Sequence, residues 1–244
     1  YMSEFKFPTE EVELPSKGLI YSKDNPLSSG KVEVKYMTAK EEDILSNQSF
    51  IQKGVVLDKL LKSVIIDKDI NIDDLIVGDK NALLIATRVL GYGKDYNIEI
   101  KGQSYTLDMT TLEHKDIDES IFVRGENEFH FTTPSTGTVL TYKLATGKIE
   151  KQIDREIAGL KKINKENSSD LTTRLKYLIS SVDGDSESKT IREFVDYKFL
   201  ARDSRAFREH VNATQPDVNL NYILDNGEEV LIPIGINFFW PDFN

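Results

Sequence analysis

The sequence predicts an α+β fold of mixed helices and short antiparallel hairpins, with a helix-rich C-terminal half. Three patterns carry that expectation. Apolar residues recur at three- and four-residue spacings in Val56, Leu60, Leu61 and Val64, and again in Ile149, Ile153, Ile157, Leu160 and Ile163, the period of a one-sided helix. Val32, Val34 and Tyr36 alternate with charged neighbours, the period of a half-buried strand. Glycine-bearing turns at Lys101-Gly102, 134–137 and Asp225-Asn226-Gly227 each separate two strand-like runs, which reads as three hairpins.

Taken in order, residues 1–30 mix short extended pieces with Pro8, Pro15, Gly18, Pro26 and Gly30, the composition of an arm with turns. A strand over 32–36 then meets Thr38, whose capping-box partner Glu41 stands three positions on and opens a helix. After the helix that begins near Val56, a second candidate runs from Asp79, read as its cap, to Gly91 and Gly93. "YNIEI" with "SYTLDM", and "EFHFTT" with "TVLTYKLA", supply a β-rich middle. From Gly147 the helical stripe over 149–163 needs a partner, offered by Leu171, Leu175, Leu178, Ile179 and Val182 on one face, begun by Ser168 or Ser169 and stopped by Asp183-Gly184. Two short helices follow, over 186–200 and 203–214, then a closing hairpin from "LNYIL" and "EEVLIPI". This suggests two regions, 1–146 with the arm and α+β part and 147–244 with the helices, hairpin and aromatic end, able to share one core.

Composition narrows the function classes. There are 31 basic against 41 acidic residues, a net charge of −10, the wrong sign for a binder of phosphate backbones, so no nucleic-acid partner is expected. The chain has no cysteine, hence no disulfide and no thiolate metal site, in keeping with a reducing compartment. No stretch nears the ~20 apolar residues of a bilayer span, and the first residues lack a basic region followed by an apolar run. A soluble, cytoplasmic protein without a membrane partner is expected.

A search for chemistry finds little. His114, His130 and His210 are far apart and form no zinc-ligand spacing. "GYGKDYN" at 91–97 lacks the phosphate-loop frame and follows a helix rather than a strand. "DGDSES" at 183–188 begins like a calcium loop, but its twelfth position is Phe194, where a bidentate glutamate is required. "NSS" at 167–169 and "NAT" at 212–214 fit a glycosylation pattern that needs a secretory route. A carboxylate hydrolase built on Asp183 and Glu187 would need an enclosing apolar pocket around what reads as a polar loop. The chain is therefore expected to be no enzyme, with no catalytic residue, no cofactor and no metal.

Two segments point to binding instead. Arg202, Asp203, Arg205, Arg208 and Glu209 crowd both signs of charge around Leu200, Phe207 and Val211: either a helix start capped by Asp203 or Ser204 with internal ion pairs, or an arginine fork reaching a carboxylate on a neighbouring element or partner. The chain's one tryptophan, Trp240, stands among Phe238, Phe239 and Phe243, between Pro233 and Pro241. Such rings either close the protein's own core or anchor in a partner's pocket.

Read in order, "LPSKGLIY" at 14–21, "VEVKYMTAKEEDIL" at 32–45, "LISSVDGDSESKTIREFVDYKFLARDSRAFREHV" at 178–211 and "FFWP" at 238–241 resemble the baseplate hub and hub-assembly proteins of T-even-type contractile-tailed bacteriophages. The resemblance spans nearly the full length. It implies a non-enzymatic, chaperone-like factor that helps form the tail baseplate hub by binding other hub or tape-measure proteins in the host cytoplasm, with a subunit retained in the virion tail as the alternative. The present length leans toward the longer, assembly-factor type. The resemblance also implies, for some members of that family, cysteines near the last hairpin that could bind metal, and this chain has none. On this reading Leu14, Pro15, Gly18, Asp203, Ser204, Arg205, Phe239, Trp240 and Pro241 hold shape or face a partner. An adaptor unrelated to phage is the remaining binding reading.

Overall fold

A computed structural model describes residues 8–163 and 169–240. Its elements run β1 (Thr9–Glu13), β2 (Lys31–Lys35), α1 (Ala39–Leu45), α2 (Gln48–Gln52), α3 (Val56–Val64), α4 (Val77–Tyr92), β3 (Asp95–Ile100), β4 (Gln103–Asp108), β5 (Phe129–Thr132), β6 (Val139–Tyr142), α5 (Gly147–Ile163), α6 (Asp170–Leu178), β7 (Ile179–Val182), α7 (Ser188–Glu193), α8 (Ala201–Thr214), β8 (Asn221–Ile223), β9 (Glu229–Leu231) and α9 (Ile236–Phe239). The fold is α+β, with small antiparallel sheets β1-β2, β3-β4, β5-β6-β7 and β8-β9 among the described residues. Sheets this narrow cannot enclose a core alone. One apolar cluster instead draws Leu27, Val34, Leu60, Leu83, Tyr142, Phe207 and Phe238 together, so the regions divided at residue 146 share it. The single bridge His114–Val218 and the Gly147 N–H, donated to the Leu75 carbonyl at 3.0 Å, stitch the two regions through the backbone.

Where the sequence predicts an arm with turns rather than a compact element, the described part of the first 30 residues packs into the core: Leu14, Ile20, Tyr21 and Leu27 are all buried. Gly18 has φ +75°, and a Cβ there would stand 2.6 Å from the Gly30 nitrogen and the Ser28 oxygen, so only glycine fits this crossing. Asp79, expected as a helix cap, lies instead in the third position of α4, fully buried. Its carboxylate accepts the Ser16 N–H at 2.9 Å, the Ser16 hydroxyl at 2.6 Å and the Tyr21 hydroxyl at 2.6 Å. Each hydroxyl in turn accepts a backbone N–H, from Gly18 at 3.1 Å and from Ile76 at 3.1 Å. Each side-chain oxygen of the three residues thus has a partner, and the carboxylate stands at a helix N-terminus, where the dipole favours negative charge. Gly78 lets α4 meet the chain after α8, because a Cβ there would fall 1.9 Å from the Pro216 oxygen.

Two further elements differ from the sequence expectation. The run ending at Val182 is not one helix: α6 stops at Leu178, and Ile179–Val182 form β7, pairing antiparallel with β6. Leu175, Leu178, Ile179 and Val182 are buried either way, because their spacing suits a helix turn followed by a strand as well as a longer helix. The start of α8 also differs, since Leu200 occupies the cap position and Asp203 does not cap. Asp203 is buried and accepts the Ser135 N–H at 2.9 Å and the Thr136 hydroxyl at 3.0 Å, tying α8 to the β5-β6 turn. Residues Phe194–Lys198 form a π-helical turn between α7 and α8. The α5-α6 pair is antiparallel as expected, with Glu150 on Arg174 and Lys161 on Asp170 at opposite ends, although Ile163, the last of the α5 stripe, is 86% exposed.

The Thr38–Glu41 capping box is present. Glu41 accepts from the Thr38 N–H and hydroxyl at 2.8 Å each, from Lys35 at 2.8 Å and from Ser63 at 2.6 Å. Burial alone would raise its pKa, but these donors outweigh burial and hold it at about 2 against an ordinary 4.5. Glu156, gripped by Arg192 and Tyr177, is likewise held at about 2. Depressed carboxylates contribute their stability in full above the unfolded pKa and lose it as pH falls toward the folded one. Asp79, raised by burial, has the opposite slope. Urea unfolding from pH 4.5 down to pH 2 should therefore show falling stability, and Glu41→Gln should make that fall shallower. An unchanged slope would contradict the assignment to Glu41.

Candidate functional site

The last two turns of α4 bring Arg88 into the interior, 3% exposed. Its Nε donates to the Phe238 carbonyl at 2.9 Å, and its two terminal nitrogens donate to Gly93 and Asp95 carbonyls at 3.1 Å each. The guanidinium lies 5.0 Å from the Tyr96 ring centre and 5.4 Å from that of Phe238, close enough for attraction to both π faces. One cation thus joins the end of α4, the start of β3 and the C-terminal helix.

Around this clasp the terminal rings divide their roles. Phe238 and Phe239 are buried, at 1% and 2% exposure, packed edge-on at 5.6 Å, with Phe238 also 5.1 Å from Tyr96. They close the protein's own core. Trp240 is only partly buried and leans on Tyr92 at 5.8 Å, while Tyr92 donates to Glu42 on α1 at 3.1 Å. Phe243 and Pro241 lie outside the described residues, as do residues 1–7 and Ser168.

Trp240 opens onto a groove of about 880 Å³ bounded by the α1-α2 junction (Leu45, Ile51), β3, Val230 of β9, and Pro233 and Ile236. Residues 96 to 100 of β3 all line it. Successive strand residues point to opposite faces, so a cavity touched by five in a row runs along the strand's edge. Its apolar lining comes from Ile98, Ile100, Ile236 and Trp240, each partly buried against the core. Exposed Asn97 and Glu99 face it from the rim.

The arginine-rich segment is arranged differently from a fork. Arg205 pairs with Glu209 one turn along α8 at 2.8 Å on the surface, Arg208 donates to the Ser204 carbonyl at 3.3 Å, and Arg202 is exposed. Bidentate arginine–carboxylate forks occur elsewhere, in Arg174–Glu150 and Arg192–Glu156. Asp203 faces inward, its carboxyl opposed by burial but held below the usual range by the Ser135 and Thr136 donors. Of the eight residues expected to meet a partner, seven are described, and among these only Trp240 lines this groove; Arg208 lines a separate cleft beside α6. Asp183 and Glu187 are exposed, and Asp183 accepts the Val139 N–H at 2.8 Å. Arg88, Ile98 and Ile100 escaped sequence reasoning. The alternation over 96–100 marked a strand, but no signal in it said that the strand's edge would stay open.

Comparison with protein-family models, with curated proteins and with solved structures finds no match.

Because charged donors to carbonyls contribute about 1.5–3 kcal/mol each, Arg88→Met should lower the free energy of urea unfolding by at least about 3 kcal/mol. A loss below about 1 kcal/mol would show that the clasp is not structural. Ending the chain at Asn237 should unfold it, since Phe238 and Phe239 would leave the core.

Proposed function

We propose that the chain is a non-enzymatic assembly factor for the baseplate hub of a contractile phage tail, and that it binds another hub or tail component through the groove beside Trp240. The observation that carries the binding role is that groove: an open, largely apolar trough kept in shape by the Arg88 clasp, with a half-buried tryptophan at its mouth. Apolar troughs of this size with an aromatic anchor are favourable places for partner contact. The hub assignment rests on the sequence segments that resemble that family. Several of those segments have structural roles in the fold that carries the groove: Ser16 and Tyr21 hold Asp79, Thr38 and Glu41 cap α1, and Phe239 packs edge-on against Phe238.

The test is co-expression with tagged hub and tape-measure proteins of a contractile-tailed phage, followed by pull-down. Wild-type chain should be captured, whereas Ile98→Glu and Trp240→Ala should lose capture at least about tenfold while unfolding at a urea midpoint close to wild type. Equal capture of all three chains, or capture of none, would overturn the proposal. Mass spectrometry of purified virions separates the roles: absence supports the assembly factor, and a stoichiometric signal assigns the retained subunit instead.

A further inference from the structure

The hairpin β3-β4 fixes which backbone groups face the groove. Its turn is Lys101-Gly102, with φ of 52° and 77° at the two residues, closing the Ile100–Gln103 pair. Two-residue turns with both φ positive place that closing pair in hydrogen-bonded register, and the register alternates along an antiparallel ladder. Ile98 and Tyr96 therefore spend their N–H and C=O on β4, opposite Tyr105 and Leu107. Asp95, Asn97 and Glu99 turn theirs outward. The Asp95 carbonyl agrees with this register, because Arg88 reaches it from outside the hairpin at 3.1 Å. Beyond that contact, β3 has β4 as its sheet neighbour among the described residues, so the Asn97–Glu99 edge lies along the groove with its amides and carbonyls directed into it.

An open strand edge beside an apolar trough selects the shape of its occupant. A helix laid there would leave the outward N–H and C=O groups of Asn97 and Glu99 covered and unpaired, at a cost comparable to lost hydrogen bonds. An extended segment would pair with them at the ~4.8 Å spacing of a sheet. The two faces of such a strand would meet different chemistry. On one side stand Ile98, Ile100, Ile236 and Trp240; on the other, the exposed Glu99 and Asn97, in a protein of net charge −10.

We propose that the groove accepts an extended segment of a partner protein as a third strand on the β3 edge, and that this segment alternates lysine or arginine with apolar residues. The inference rests on the groove being the partner site and adds how the partner is held. Period-two alternation puts the apolar side chains against Ile98 and Trp240 and the basic ones beside Glu99. Strand addition supplies affinity through the backbone, and the alternation supplies specificity.

A synthetic heptapeptide in which lysine alternates with valine and phenylalanine, blocked at both ends, tests this directly on the full chain. It should bind saturably and slow hydrogen exchange at the Asn97 and Glu99 amides by at least about tenfold, leaving those of Ile98 and Tyr96 at their existing protection. Glu99→Pro removes an outward N–H without touching the β4 ladder, and should weaken binding about fivefold or more beyond Glu99→Gln, which removes the charge alone. N-methylation of the peptide's alternate amides should do the same, and a peptide of equal composition with its lysines in one block should bind no better than background. Binding indifferent to Glu99→Pro and to N-methylation would overturn strand addition while leaving the groove as a partner site. So would failure of the peptide to bind while hub components are still captured through Trp240. Loss of the groove's role itself is read separately, from capture that survives Ile98→Glu.

Discussion

The Arg88 guanidinium is the constraint on which the rest of this architecture depends. Helix α4 ends where the chain must turn into β3, and the C-terminal helix must be fastened beside both. A single planar cation with donors on three nitrogens meets one carbonyl from each of Gly93, Asp95 and Phe238, and the Tyr96 and Phe238 rings lie against it. Lysine has the charge but not the fork. By occupying the Asp95 carbonyl, Arg88 also sets where the open part of the β3 edge begins, so the same side chain that closes the core defines one end of the groove.

Elsewhere the same problem is met with carboxylates. Sheets of two or three strands contribute few long-range backbone bonds, and the apolar cluster is non-directional. Directional ties come from buried acids, each joining segments distant in sequence: Asp79 to Ser16 and Tyr21, Glu41 to Lys35 and Ser63, Asp203 to the β5-β6 turn. Buried acids are favourable only when their acceptor capacity is filled, and among the described residues no buried side-chain polar atom lacks a partner. The polar networks inside are thus closed, while the Asn97–Glu99 edge of β3 keeps outward backbone groups beside an apolar groove.

How much of this was legible in the sequence depends on the range of the interaction concerned. Local devices were readable: the Thr38–Glu41 box, the Val56–Val64 face and the Lys101-Gly102 turn all depend on residues within a few positions of each other. Asp79 was misread as a cap because its position before an apolar run fits that role, and its true partners lie 58 and 63 residues away. Asp203 misled for the same reason. Strand β7 was absorbed into a helix because an apolar stripe at three- and four-residue spacing continues smoothly into four buried strand residues. The terminal rings posed an either-or question that the fold answers residue by residue: Phe238 and Phe239 turn inward, and Trp240 sits at the boundary. The contacts that accompany that division come from about 140 to 150 residues away, from Arg88 and Tyr96 to Phe238 and from Tyr92 to Trp240, and no local pattern could announce them.

Since Trp240 is the sole tryptophan, its fluorescence reports on the C-terminal segment alone, while far-ultraviolet circular dichroism reports on the whole backbone. Thermal unfolding followed by both signals on one sample tests whether the aromatic end belongs to the common core. Coincident transitions are expected if Arg88 fastens α9 to α4 and β3. A tryptophan transition completed before the loss of ellipticity begins would mean that the end detaches by itself, and the clasp could not then be what shapes the groove.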